Sequence, residues 1–231
     1  NSGGSPNAGS QIILRGISSI NPSQSNEPLL IVDGMPISGG GSSASIINPN
    51  DIENVTVLKG AAAAALYGQE AANGVIMVTT KQGAVGKLVT TVNASIQIDQ
   101  PVRLPKIQQI FSPGALGFYK PLTGGGWGPL LNSDETIYDN IGNYFKNGIY
   151  QKYDVSMSGG SDKFQSYASA NYSSNKGIVP NDYLTTIGFM LKDTFKINDK
   201  LTGVMNSNIT NSTYRGAGSI LPFTLGLSMM I

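Results

Sequence analysis

Two hydrophobic patterns divide this sequence near residue 83. From Lys87 onward, apolar and polar residues alternate with a period of two, as they do in strands with one apolar face. Leu88, Val92, Ala94, Ile96 and Ile98 share one parity, while Thr91, Asn93, Ser95, Gln97 and Asp99 take the other. Tyr153, Val155 and Met157 alternate with Lys152, Asp154, Ser156 and Ser158. Phe164, Ala168, Ala170 and Tyr172 follow the turn Gly159–Asp162. Tyr183, Ile187, Phe189, Leu191, Phe195 and Ile197 make a fourth run, and Leu201 to about Thr213 a weaker fifth. Five long strands are predicted.

Before residue 83 the pattern is shorter and mixed. Asn50 and Glu53 have capping-box spacing, which predicts the start of a helical turn. Val55, Val57 and Leu58 read as a short buried strand. Ala61–Leu66 is strongly helix-favouring, with Gly68 placed for a left-handed cap. Val75–Thr80 is β-rich and is entered through an Asn73-Gly74 turn. Upstream, Gln11–Arg15 is expected to be a short strand, and Pro28–Val32, Asp33-Gly34, Met35–Ile37 reads as strand, tight turn, strand. Ile17–Glu27 and Ser38–Ser45 are polar loops. Only one aromatic residue, Tyr67, precedes residue 110. Residues 1–83 are therefore expected to be a small α/β domain and 84–231 a separate strand-rich region, joined by the linker Gln82–Lys87.

The connections between the five long strands sharpen the second region. They run to about 50, about four and about nine residues, and then only Asn198–Lys200, which is the long-loop, short-turn construction of outer-membrane barrels. On that reading the apolar parity faces lipid, the polar parity faces the lumen, and the long segment Pro101–Ile149 faces outside. Tyr153, Tyr172, Tyr183 and Phe195 are placed to form interfacial aromatic girdles. Asp193 falls on the lipid-facing parity, where a charge near the midplane costs a few kcal/mol. It sits either at the rim or beside a bulge that flips parity.

Composition removes several functions. The net charge is +1 and 13% of residues are charged, so there is no basic field for nucleic acid. No run of about 18 apolar residues occurs, which excludes a membrane-spanning helix but not a barrel. The apolar end from Ile220 is broken by Pro222 and Gly226. With no cysteine and no histidine, Ser-His-Asp and Cys-His nucleophiles and most zinc sites are absent from the chain. No metal and no cofactor are expected. The N-terminus carries no leader-like segment, as expected for a sequence that starts late in a longer protein.

Other motifs resolve blandly. Gly124-Gly125-Gly126-Trp127-Gly128 lacks the buried strand and Lys-Ser/Thr helix of a phosphate cradle and reads as a loop. Asp134 and Glu135 are adjacent, which does not place two carboxylates across a glycosidic bond. Asn54, Asn93, Asn171, Asn208 and Asn211 match the glycosylation pattern by chance in an Asn/Ser/Thr-rich chain.

DIENVTVLKG, ALYG and AANGVIMVTTKQG, in that order, resemble the plug domain of TonB-dependent outer-membrane transporters, and NPNDIE with AAAAALYG is similar to the SusC/RagA branch. Arg15-Gly16 and PLLIVDGMPI resemble two earlier plug motifs, although Ile13 stands where the family usually carries an arginine. The signature residues are Arg15, Gly16, Asp33, Gly34, Pro49, Asp51, Glu53, Lys59, Tyr67, Gly68, Asn73 and Gly74. YDVSMSGGSDKFQSYASANYSSNKGIV resembles early barrel strands of the family, so the resemblance covers about residues 10–214. It implies the late part of a plug followed by the first antiparallel strands of a plugged transmembrane barrel of roughly 22 strands.

The resemblance further implies TonB-dependent import of oligosaccharides or oligopeptides across the bacterial outer membrane, without catalysis. Its implied partners are a SusD-like surface lipoprotein and the TonB complex, the latter through a segment outside this sequence. Arg15, Asp33, Asp51, Glu53 and Lys59 are conspicuous plug charges. They serve either as caps and ion pairs or as polar contacts that hold the plug reversibly to the barrel wall. Ser18, Ser19, Asn21, Gln24, Asn26, Ser38, Ser42 and Ser43, in hydroxyl- and amide-rich loops, are the candidates for substrate contact. A β-rich surface adhesin that binds without transport is the competing function, and a glycosidase built on scattered Asp and Glu is a third.

Overall fold

The alternation after Lys87 folds into one meander. A computed structural model describes residues 5–7, 12–14, 26–37, 47–59, 61–106, 108–120, 125–132, 134 and 136–216, with only the backbone of 61, 62 and 64. Strands β1 (Leu29–Val32), β2 (Met35–Ile37), β3 (Ile52–Leu58) and β4 (Val75–Thr80) form one sheet in the order β2-β1-β4-β3. Helix α1 (Ala61–Tyr67) links β3 to β4. Strand β5 (Gly86–Asp99) opens the second sheet. The excursion that follows holds the short hairpin β6 (Gly114–Ala115) and β7 (Phe118–Tyr119) and helix α2 (Asn140–Tyr144). Strands β8 (Gly148–Gly160), β9 (Phe164–Lys176), β10 (Tyr183–Asn198) and β11 (Leu201–Arg215) complete it in the order β11-β10-β9-β8-β5. Every neighbouring pair in this second sheet is antiparallel. No helix among the described residues is long and apolar enough to cross a membrane.

The first sheet is built around β4. That strand pairs in parallel with β1 and antiparallel with β3, and both of its faces are covered. Leu30, Val32, Ile76, Val78 and Ile47 pack on one face, and Ile31, Val75, Ala63 and Ala71 on the other. Ala63, with no exposed surface, is small enough to bring α1 close to the sheet. Burying each Val, Ile or Leu contributes roughly 1.5–3 kcal/mol. Asp33 (φ +47) and Gly34 (φ +86) make the β1–β2 turn with two positive φ angles, as a tight hairpin requires. Gly68 (φ +67) ends α1, as its position predicts.

Three local expectations need correction. The helical turn is a single 3-10 turn, Pro49–Asp51, capped by Asn48, whose Oδ1 accepts from the Asn50 N–H at 3.1 Å. Ile52 is already extended (φ −81, ψ 129), so Glu53 lies in β3 and closes no capping box. Val55 and Val57 are 50% and 42% exposed, because β3 is the edge strand of its sheet. Residues 12–14 form no strand, and Gln11 and Arg15 lie outside the described residues.

The five long strands start and stop within a few residues of the expected runs. β8 has 13 residues and spans about 43 Å. A strand of that length, tilted by about 40°, crosses an apolar band about 25 Å tall. The cross-strand pairs assign the faces. Ile187, Phe189, Leu191 and Phe195 of β10 share one face with Tyr153, Val155 and Met157 of β8, and the first sheet packs against the other face. The ladder is regular through Asp193, which pairs with Ser166 and Met205, so no bulge flips its parity. It lies two residues from Phe195, whose pairing with Phe164 ends the β9–β10 ladder at the short-turn side.

Candidate functional site

The polar parity of the second sheet meets the first region along a transverse row and at a second point beyond it. Ser158 pairs with Tyr167, Tyr167 with Lys192, and Lys192 with Asn206, one residue from each of β8 to β11. All four hydrogen-bond the segment 33–84. The Ser158 hydroxyl accepts from the Ala84 N–H at 3.2 Å. The Tyr167 hydroxyl donates to the Asp51 carboxylate at 2.8 Å, with both residues about 3% exposed. Lys192 Nζ donates to Asp33 Oδ1 at 3.0 Å, to the Thr80 hydroxyl at 3.1 Å and to the Thr80 carbonyl at 3.2 Å. Asn206 Nδ2 donates to Asp33 Oδ2 at 2.6 Å.

Asp33 is the centre of this row. It leaves the β1–β2 turn and accepts from the Thr80 N–H and hydroxyl at the end of β4, as well as from Lys192 and Asn206 on the wall. Burial alone pushes its carboxyl up. The Thr80 hydroxyl and N–H and then the Lys192 ammonium outweigh that cost, and hold the carboxyl below its ordinary value. The Asp33–Lys192 pair is buried on both sides (12% and 8% exposed), so each charge depends on the other for compensation.

A second anchor lies four residues up β8. Asp154 accepts from Asn48 Nδ2 at 2.8 Å and Asn50 Nδ2 at 2.7 Å. Lys152 Nζ donates to Asn48 Oδ1 at 2.8 Å and stands 3.7 Å from Asp154. The Asn48 cap therefore does two jobs: it starts the 3-10 turn and carries a charge contact from the wall. Gly188 faces Asn171 in this region, and a Cβ there would lie 2.5 Å from the Asn171 amide. A cavity of about 200 Å³ opens beside the anchor, lined among others by Ile47, Asn48, Tyr150, Lys152, Asn171 and Leu184. A larger hollow of about 800 Å³ lies in the excursion 101–142, beside Phe111, Trp127 and Tyr138.

Of the residues singled out from the sequence, Asp33 and Asp51 meet the wall, and Pro49 sits in the turn between the two anchors. Glu53 and Lys59 are exposed, on β3 and just beyond it. Gly34, Gly68 and Gly74 hold positive φ angles. Tyr67 packs against the α1 face of the sheet, and Asn73 precedes Gly74 in the turn into β4. Asn26 is half-buried just before β1. Arg15, Gly16, Ser18, Ser19, Asn21, Gln24, Ser38, Ser42 and Ser43 lie outside the described residues.

The wall side of the seam went unread in the sequence. Lys152, Asp154, Tyr167, Lys192 and Asn206 were not among the singled-out residues. For Lys152, Asp154 and Lys192 the available signal was charge on a polar parity otherwise filled largely by Ser, Thr and Asn, whereas Tyr167 and Asn206 carried none. No cluster of acidic side chains among the described residues could hold a metal ion.

Residues 1–75 match the family model of the TonB-dependent receptor plug domain. The TonB-dependent receptor SusC of Bacteroides thetaiotaomicron is 34% identical over 183 residues, covering 76% of this chain and 18% of SusC. The TonB-dependent receptor P26 of Formosa agariphila is 33% identical over 205 residues, covering 86% of this chain and 20% of that protein. Among solved structures, the RagAB peptide transporter superposes with a TM-score of 0.71 at 27% identity, covering 93% of this chain and 27% of that chain. The chain spans about a fifth of the length of the curated relatives it matches.

Proposed function

We propose, from the premise that the chain belongs to the SusC/RagA family of TonB-dependent receptors, that the whole protein imports oligosaccharides or oligopeptides across the bacterial outer membrane. Residues 1–83 are then the late part of the plug and 84–231 the first strands and loops of a transmembrane barrel of roughly 22 strands. A SusD-like lipoprotein lids the outer face, and a TonB complex supplies the energy. The observation that carries this reading is the buried polar row joining a small α/β sheet to the polar face of long antiparallel strands.

The outer face of the strands supports the membrane setting. Tyr153 stacks near Tyr172 with centroids 6.4 Å apart, and Phe164 lies 5.1 Å from Phe195. Between Phe164 and Tyr172 the strand advances by eight residues, about 26 Å along its axis. Tilt brings the two aromatic levels close to the height of a lipid-facing apolar band. Between them the face carries Val155, Met157, Phe189 and Leu191.

In this reading the seam seals the lumen, and Asp33, Asp51 and the Asn48–Asp154 anchor hold the plug in place. The chemistry is binding and release throughout, with no covalent step. Cargo contact is assigned to the loop residues Ser18, Ser19, Asn21, Gln24, Asn26, Ser38, Ser42 and Ser43. The test is uptake of oligosaccharides and oligopeptides by a strain lacking the gene. Loss of uptake of one class is expected. Unchanged uptake of all of them, with surface binding intact, overturns import in favour of an adhesin.

A further inference from the structure

The seam between the two sheets has two unlike halves. On β8 to β11, buried hydrogen bonds and one buried ion pair tie the wall to Asp33, Asn48, Asn50, Asp51 and Thr80. On β5, no side chain among the described residues hydrogen-bonds the first sheet. A cavity of about 310 Å³ lies there instead, with Glu53, Lys81 and Gln82 on one side and Thr91, Asn93 and Ser156 on the other. Val89 and Tyr167 also line it, and the polar side chains among the rest can hold hydrated groups.

The segment that joins the sheets runs past this cavity. Lys81 is tied to the Asp51 carbonyl through its N–H at 2.8 Å. Gly83 then passes so close to β9 that a Cβ would lie 2.4 Å from the Ser166 nitrogen. Ala84 reaches the Ser158 hydroxyl on β8, and Gly86, at φ +136, turns the chain into β5. Pairing between β5 and β8 is irregular from Gly86 to Val89. The segment therefore crosses from β9 over β8 to β5 at the short-turn end, where the buried Gly83 packs on β9 and a single exposed hydrogen bond, Ala84 to Ser158, ties it to β8.

We propose that residues 81–86 are the gate of the translocation path, and that polar cargo passes on the β5 side while the β8–β11 side stays clamped. This rests on the import reading and adds the location of the path to it. The energetic argument is the contrast between the halves. Separating Asp33 from Lys192 strands two buried charges, whereas lifting Ala84 from Ser158 returns an exposed group to water. Displacement begins where it costs least.

The test uses the full-length protein in cells, with fluorescein-labelled maltoheptaose and a fluorescein-labelled octapeptide as cargo probes. Two cysteine pairs are compared, Ala84→Cys with Ser158→Cys and Asn50→Cys with Asp154→Cys, each joined by a short thiol-reactive cross-linker that a reductant cleaves. The gate pair, once joined, is expected to cut import at least tenfold and to recover on cleavage. The clamp pair, once joined, is expected to keep import within threefold of its own cleaved form. Import through a joined gate pair, or loss of import in the joined clamp pair, overturns the proposed path while leaving the import reading intact. A parent protein that takes up neither probe overturns the import reading, and the path falls with it.

Discussion

Asp51 and Asp33 show how a buried carboxylate is partnered in a seam between two sheets. Asp51 relies on the Tyr167 hydroxyl. Replacing Tyr167 with Phe removes that donor from a buried acceptor and costs about 1–3 kcal/mol. The expected outcome is a rise in the rate of plug proteolysis, in the purified full-length protein, of between about fivefold and about a hundredfold. An unchanged rate would show that Tyr167 contributes packing alone. The Asp33 carboxyl is held below its ordinary value, so the sign of its pH dependence is fixed. Its contribution is fully present above the ordinary carboxylate range and is lost as pH falls through its lowered value, below about pH 4. An acid-stable protease should release the parent plug faster as pH drops below 4. The Asp33→Asn protein should be more labile at pH 6 and should lose the part of that acid slope due to Asp33.

At the scale of the element, each long strand carries two codes, and they were legible to different degrees. The code of the apolar face is periodic, so the five strands and the residues turned away from the first sheet could be read from alternation alone. Position along the strand sets the cost of error. Leu191→Arg, between the two aromatic levels, should destabilise the folded barrel by about 2–4 kcal/mol, and Phe195→Arg, at the level of Phe164, by about 0–1. Heat-modifiability on gels of the full-length protein checks this ordering, and equal shifts would contradict the assigned band. The code of the polar face, which meets the first sheet, is not periodic. Nothing local marks Lys192 as the partner of Asp33, 159 residues away. The errors in the first sheet have the same origin. Val55 and Val57 look buried by composition, yet exposure depends on β3 lying at the edge, which only the sheet order fixes.

For the whole molecule, the sequence motifs and strand alternation gave two regions in their chain order, whereas the contacts that join them depend on register. That dependence has a consequence for assembly. The apolar face of these strands opposes a one-residue slip, which would turn Lys192 to that face, whereas the Ser-, Thr- and Asn-rich face has few side chains that penalise a two-residue slip. A two-residue slip keeps Lys192 on its own face but carries it about 6.6 Å away from Asp33. Since Ser158, Tyr167, Lys192 and Asn206 occupy one rung, the first sheet and the segment that follows it can engage all four only when four strands are correctly aligned at once. The first sheet thus acts as a gauge: misregistered strands cannot seat it, and Asp33 and Asp51 are left without their partners on the strands.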